Sequence, residues 1–78
     1  MSENMSEQTP FQRFTRSRSI GDLVDGRVVR ALPFGAFVEV DGVDGFYRTE
    51  QPPTVGTAFR VRVAAIDPVK ERFAVEAP

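Results

Sequence analysis

The chain has 78 residues, about half the length of a typical domain, so we expect one small domain with a thin core. It contains neither cysteine nor histidine, which excludes disulfide bonds, zinc ligands of either type, cysteine nucleophiles and Ser-His-Asp triads. Ten basic and eleven acidic residues give a net charge of −1, which argues against a strongly basic nucleic-acid-binding protein. We expect no cofactor and no metal.

Hydropathy gives no sign of a membrane segment or an export signal. No apolar run approaches the roughly 20 residues that span a bilayer. The first ten residues, MSENMSEQTP, contain no apolar signal core. We therefore expect a cytoplasmic protein without a membrane partner.

Residues 1–20 are polar and show no sustained apolar period, which predicts a flexible N-terminal arm. Only Phe11 and Phe14 interrupt this pattern. Their three-residue spacing fits either one helical turn that caps the domain or a simple arm. The composition changes abruptly at Gly21, where we place the start of a folded domain that covers residues 21–78.

Residues 21–78 consist of short β-type runs separated by turn signals. The predicted strands cover residues 23–32, 34–40, 43–49, 57–66 and 72–76. In the second strand, alternation places Ala36, Val38 and Val40 on one face and Phe37 and Glu39 on the other. Five short strands without a helix predict an all-β protein, a small closed barrel, because closure removes the exposed sheet edges.

Several motifs follow one another in this region. They are GRV at 26–28, PFGAFV at 33–38, GVDGF at 42–46 and VRVAAID at 61–67, with Arg72 five positions later. This order resembles the RNA-binding domain named after the first protein of the small ribosomal subunit, here called the S1-type domain. The resemblance covers residues 21–78 and implies a five-stranded antiparallel OB-fold barrel that binds single-stranded RNA.

Two features depart from the pattern of that family. Arg48 stands where the family usually has a histidine on its RNA-binding face. The connection 49–55 is shorter than the linker that the family places between its third and fourth strands. We still expect the five-stranded barrel, because the shortened segment is a connection and all five strands are present in the sequence.

Phe34 and Phe37 are the strongest candidates for RNA binding, because alternation places Phe37 outside and an exposed ring can stack on any base. The alternative is that both rings complete a cramped core. We assign Phe46 to the core, so that Tyr47 adds aromatic surface near the site.

The resemblance adds charged candidates. Arg48 and Arg72 correspond to positions on the RNA-binding face, and Arg62 is a weaker candidate of the same kind. Asp67 matches the aspartate of the family's Ile-Asp pair, where it either accepts a hydrogen bond from a base or holds Arg72 in place.

We predict a non-catalytic monomer that binds single-stranded RNA through stacking and arginine contacts. Its expected role is accessory, in translation or RNA metabolism, with the ribosome or RNA-processing machinery as the wider partner. The alternative is a protein–protein interaction module that uses the same barrel face, which the acidic balance of residues 21–78 favours. The absence of a cavity of about 300 Å³ or more would dismiss an enzyme.

Overall fold

The protein is described by a computed structural model that covers residues 9–78. It contains one helix and five strands, α1 (Pro10–Ser17), β1 (Leu23–Leu32), β2 (Gly35–Val40), β3 (Val43–Arg48), β4 (Ala58–Asp67) and β5 (Arg72–Glu76). All five predicted strands are present, with their ends within about one residue of the expected positions. Within residues 9–78, no helix is long and apolar enough to cross a bilayer.

The strands form a closed barrel in the order β1-β2-β3-β5-β4. Four of the neighbouring pairs are antiparallel, and β3 and β5 are parallel. The predicted five-stranded barrel is confirmed, and its antiparallel pairing holds for every neighbouring pair except β3 and β5. The physical reason is parity: in a ring with an odd number of strands, directions cannot alternate all the way around.

The barrel interior is filled mainly by valine side chains. As predicted, Ala36, Val38 and Val40 point inward and are buried. Gly45 lies on the inner face of β3, where a Cβ atom would collide with the ring of Phe73. The absence of a side chain at residue 45 therefore makes room for the Phe73 ring inside the barrel.

Helix α1 adds two rings to this core. Thr9 caps the helix: its Oγ1 accepts a hydrogen bond from the Gln12 N–H, and the Gln12 side chain accepts one from the Thr9 N–H. Phe11 and Phe14 are buried, and the Phe14 ring stacks on Phe73 with 4.2 Å between centroids.

The sequence left a capping turn and an arm as alternatives for Phe11 and Phe14, and the structure has a two-turn helix packed on the barrel. The helix covers Pro10–Ser17 of the predicted arm over residues 1–20. The physical reason is that burial of two phenylalanine rings holds the segment in place. The first eight residues of the predicted arm lie outside the described residues.

Candidate nucleic-acid interface

Three phenylalanine rings, Phe34, Phe37 and Phe46, lie together on the outside of the barrel, and we call them the phenylalanine cluster. Phe37 on β2 is paired in register with Phe46 on β3, and their ring centroids lie 5.6 Å apart, edge to face. Phe34 precedes β2, and its centroid is 6.0 Å from that of Phe46. The Phe34 ring is 60% exposed, so one aromatic face is open to a ligand.

Phe46 lies in the middle of this cluster because Gly35 lies beneath it. A Cβ atom on Gly35 would come within 2.5 Å of the Phe46 ring and 2.6 Å of the Tyr47 carbonyl oxygen. The glycine of the FGAFV motif therefore makes room for the Phe46 ring against β2. This explains at the atomic level why that motif has a glycine between its two phenylalanines.

A groove runs beside the cluster across β2, β3 and β5. It has a volume of about 560 Å³ and is lined by Phe37, Asp44, Phe46, Arg72 and Phe73. This volume exceeds about 300 Å³, the lower limit for small-molecule sites, so the size of the groove does not exclude an enzyme. The accessible lining consists of the half-buried rings of Phe37 and Phe46, one carboxylate and one guanidinium, while Phe73 is buried.

Arginines border the cluster on two sides. Arg48 is exposed, follows Phe46 on the same face of β3 and is paired in register with Gly35. Arg72 opens β5 and lines the groove. Two of the arginines predicted from the sequence therefore lie on the surface that carries the cluster.

Arg30 is a third arginine on this surface, and sequence reasoning missed it. Strict alternation from Val24 and Val28 would turn Arg30 inward. The register of β1 against β2 shifts between Val28 and Arg30, and the bulge brings Arg30 opposite Phe37 on the outer face. A bulge leaves no reliable mark in a single sequence, so alternation alone does not find this residue.

Phe46 and Asp44 were also missed as members of the site, and here a signal was available. They share the outer face of β3 with Arg48, two and four positions away. Since Arg48 was expected to point outward, the same period-two pattern already places Phe46 outside.

The structure does not bring Tyr47 into the cluster. Tyr47 is paired with Ala36 on the inner side of β2 and β3, and its ring packs 5.6 Å from that of Phe59 against the core. The sequence assigned Phe46 to the core and Tyr47 to the surface, and the structure has them the other way round. The reason is that Val43, Gly45 and Tyr47 form one face of β3.

Arg62 lies outside the groove as well. Its Nη1 donates a hydrogen bond to the Gly21 carbonyl oxygen at 3.0 Å, which ties the segment before β1 to β4.

Asp67 borders the site without forming the predicted contact. It lines a smaller cavity of about 200 Å³ next to the groove, together with Arg72. Its Oδ1 accepts hydrogen bonds from the N–H groups of Val69 and Lys70, at 3.0 and 3.2 Å. Within residues 9–78 no ion pair joins Asp67 and Arg72, so the observed role of Asp67 is to stabilise the β4–β5 turn.

In the described part of the chain, no polar or charged residue is buried. Arg18 donates a hydrogen bond to Asp41 at 3.0 Å, and Arg60 pairs with Asp25 at 3.4 Å. The hydrogen bond to Asp41 raises the pKa of Arg18 above its usual value. Neither pair involves an arginine beside the phenylalanine cluster.

Sequence comparison relates the chain to ribosomal proteins. The small ribosomal subunit protein bS1 of Mycobacterium leprae is 30% identical over 87 aligned positions, which cover 96% of this chain and 18% of the relative. The bS1 protein of Staphylococcus epidermidis is 33% identical over 66 positions, covering 70% of this chain and 17% of the relative. The chain carries an S1-type OB-fold domain. It spans less than a fifth of the length of these relatives.

Solved structures agree on the fold of the S1-type domain. An uncharacterised protein from Methanocaldococcus jannaschii superposes with a TM-score of 0.71 at 21% identity, over 80% of this chain and 95% of that one. A chain of the a/eIF2alpha–aDim2p–rRNA complex from Pyrococcus horikoshii gives a TM-score of 0.66 at 24% identity, over 74% of this chain and 43% of that one. No protein-family model matches the chain.

The alignment with the mycobacterial protein spans 87 positions, whereas this chain has 78 residues. The relative therefore has residues that lack a counterpart here. In the structure, the connection between β3 and β4 contains no helix, and it is held by backbone hydrogen bonds from Thr49 to Phe34 and from Gly56 to Val28.

Proposed function

We propose that the S1-type domain binds single-stranded RNA on the outer face of β2, β3 and β5, without catalysing a reaction. The observation that carries this proposal is the phenylalanine cluster with an open Phe34 ring, bordered by Arg30, Arg48 and Arg72. The proposed role is accessory, in translation or RNA metabolism, in the cytoplasm. The ribosomal names of the relatives support this role.

Stacking favours a single strand over a duplex. Bases in a duplex are already stacked on one another, whereas unpaired bases are free to stack on an exposed ring, and each such contact contributes about 1–3 kcal/mol. Phe34 and Phe37 lie on either side of Phe46. One base can therefore stack on Phe34 and the next base on Phe37. The arginines around the cluster then lie where the phosphates of such a strand pass.

The groove supports binding rather than catalysis. Its only carboxylate, Asp44, is exposed, and general acid–base catalysis commonly relies on a burial-shifted carboxylate or a histidine. Aromatic walls and one guanidinium are the components of a stacking site. The ribosomal relatives support the same conclusion.

Amide chemical-shift mapping with a hexauridylate tests this proposal, because it reports binding and location together. We expect the largest shifts in residues 34–37, 44–48 and 72–74. Shifts confined to β1 and β4 would mean that RNA binds elsewhere on the barrel. The absence of any shift at millimolar oligonucleotide would refute RNA binding and favour the alternative, in which this face docks on a partner protein.

A further inference from the structure

Asp44 and Arg72 place opposite charges side by side in the groove. They directly precede Gly45 and Phe73, which are paired in register on the parallel strands β3 and β5. Both residues line the groove, together with Phe37 and Phe46. Within residues 9–78 they form no ion pair with each other or with any other residue, so a hydrogen-bond acceptor and a donor are both available to a ligand.

A carboxylate inside an RNA-binding groove needs an explanation, because it repels phosphate. Asp44 is also paired in register with Glu39, and two like charges opposite each other destabilise a sheet. A base edge, in contrast to a phosphate, carries N–H donors that a carboxylate accepts strongly.

Guanine matches this arrangement better than the other bases. Its N1–H and N2–H₂ groups offer two donors to the two oxygens of one carboxylate, and the adjacent O6 and N7 atoms accept from an arginine fork. Cytosine and adenine each offer a carboxylate only one amino group. Uracil offers a single ring N–H, and the two carbonyl oxygens on either side of it repel a carboxylate.

We propose that Asp44 and Arg72 form a guanine-selective subsite in the groove, with Asp44 on the N1–H and N2–H₂ edge and Arg72 on O6 and N7. The aromatic walls hold the base plane and the two charged groups read its edge. This inference rests on the proposed RNA binding, and it adds selectivity for one base to a stacking surface that tolerates all four.

The test measures fluorescence anisotropy with hexauridylates that carry one central guanosine, adenosine, inosine or 7-deazaguanosine. We expect the guanosine oligonucleotide to bind about 5- to 150-fold more tightly than the adenosine one, as for a bidentate base contact. Inosine lacks the N2 amino group and 7-deazaguanosine lacks N7, so each should lose part of that preference.

The decisive variant is Asp44→Asn, with Glu39→Gln as its matched control. Both remove one exposed carboxylate from opposite sides of one register pair, so both weaken phosphate repulsion alike. Only Asp44 lines the groove. We expect Asp44→Asn to reduce the ratio of guanosine to adenosine affinity to within about twofold of one, while Glu39→Gln leaves the ratio unchanged.

The outcomes separate the two proposals. If the wild type binds all four oligonucleotides equally, RNA binding stands and the guanine subsite is refuted. The same holds if Asp44→Asn keeps the full preference. If no oligonucleotide binds, both proposals fall. The last experiment adds free GMP as a competitor of the guanosine hexamer. We expect GMP to displace the hexamer only at concentrations far above the Kd of the hexamer. Displacement at concentrations near that Kd would mean that the groove binds a free nucleotide.

Discussion

Phe34 is the member of the phenylalanine cluster whose role in binding is easiest to separate from its role in folding. Its ring is 60% exposed and touches another ring only at Phe46. We expect Phe34→Ala to weaken binding of a hexauridylate by about 1–3 kcal/mol, the value of one base stack. Anisotropy titrations measure this loss, and urea unfolding should show a change in stability below about 0.5 kcal/mol.

Val55→Ala is the matched control for this substitution. Val55 is similarly exposed, lies in the connection before β4, and does not line the groove. Val55→Ala should change neither the affinity for the hexauridylate nor the free energy of unfolding. If Phe34→Ala also leaves the affinity unchanged, the open ring is not a stacking platform, and the interpretation of this face as an RNA surface loses its main support.

The charge of Arg48 leads to a separate prediction about the pH dependence of RNA affinity. The chain contains no histidine, and arginine stays charged throughout the physiological range, so the RNA affinity of the wild type should be flat between about pH 5.5 and 8. Arg48→His should introduce a pH dependence with tighter binding at the acid end, where imidazole is protonated. Titrations at several pH values measure it.

The flat profile of the wild type is the internal control for this experiment. If Arg48→His binds with the same affinity at every pH, residue 48 makes no contact with RNA, and Arg48 is only an exposed strand residue. If the wild type itself shows a steep dependence, a carboxylate in the site titrates and the contribution of arginine has been overestimated.

At the scale of single residues, the sequence predicts part of this outer surface, but it assigns Phe46 to the core and misses Asp44 and Arg30. Phe34, Phe37, Arg48 and Arg72 lie where alternation and family resemblance place them. The outward position of Arg30 could not be predicted from the sequence, because the bulge that turns it outward depends on the pairing of β1 with β2.

At the scale of elements, α1 is held by its rings more than by its charges. Phe14 is 1% exposed and stacks on Phe73, whereas the Arg18–Asp41 pair is 36% and 45% exposed. Loss of a buried phenylalanine costs about 3–5 kcal/mol, and an exposed ion pair contributes about 0–1 kcal/mol. We expect Phe14→Ala to destabilise the fold several times more than Arg18→Gln. Urea unfolding of the two variants measures the difference.

The same experiment bears on where the domain begins. The boundary at Gly21 remains a prediction, and the packing of Phe14 argues for an earlier start. Backbone relaxation should show residues 10–17 moving with the barrel. If Phe14→Ala is as stable as the wild type and these residues relax faster than the strands, α1 is a loosely attached arm, as the composition alone indicates.

The helix was predictable in part. Thr9-Pro10-Phe11-Gln12 combines an N-cap, a proline at the first helical position and a glutamine at N3, which together form the sequence signature of a capping box. The strands were found because turn signals bound short β-type runs and because β2, β4 and β5 show period-two alternation. The parallel pairing of β3 with β5 is a property of ring closure and is invisible in any one strand.

At the scale of the whole molecule, a net charge of −1 limits the strength of RNA binding. Long-range attraction to a polyanion is absent, so affinity depends on local contacts at one face. That face carries three arginines near the cluster and also two acidic groups, Glu39 and Asp44. The balance predicts weak binding with a moderate salt dependence.

The salt dependence can be stated as a number. For single strands, log K falls with log [salt] with a slope of about −0.7 for each phosphate neutralised, so contacts from Arg30, Arg48 and Arg72 give a slope of about −2. Affinity should then fall by about 18-fold between 50 and 200 mM salt. Anisotropy titrations with a hexauridylate at four salt concentrations measure the slope.

Arg30→Ala is the sharpest variant for this measurement, because the arginine lies on the face only through the bulge in β1. It should reduce the slope by about 0.7, whereas Arg60→Ala, which removes an arginine paired with Asp25 on the β1–β4 side of the barrel, should leave it unchanged. A wild-type slope near zero would mean that phosphates are not neutralised at all. In that case the hexauridylate binds by stacking on the phenylalanine cluster alone, and Arg30, Arg48 and Arg72 contact no phosphate.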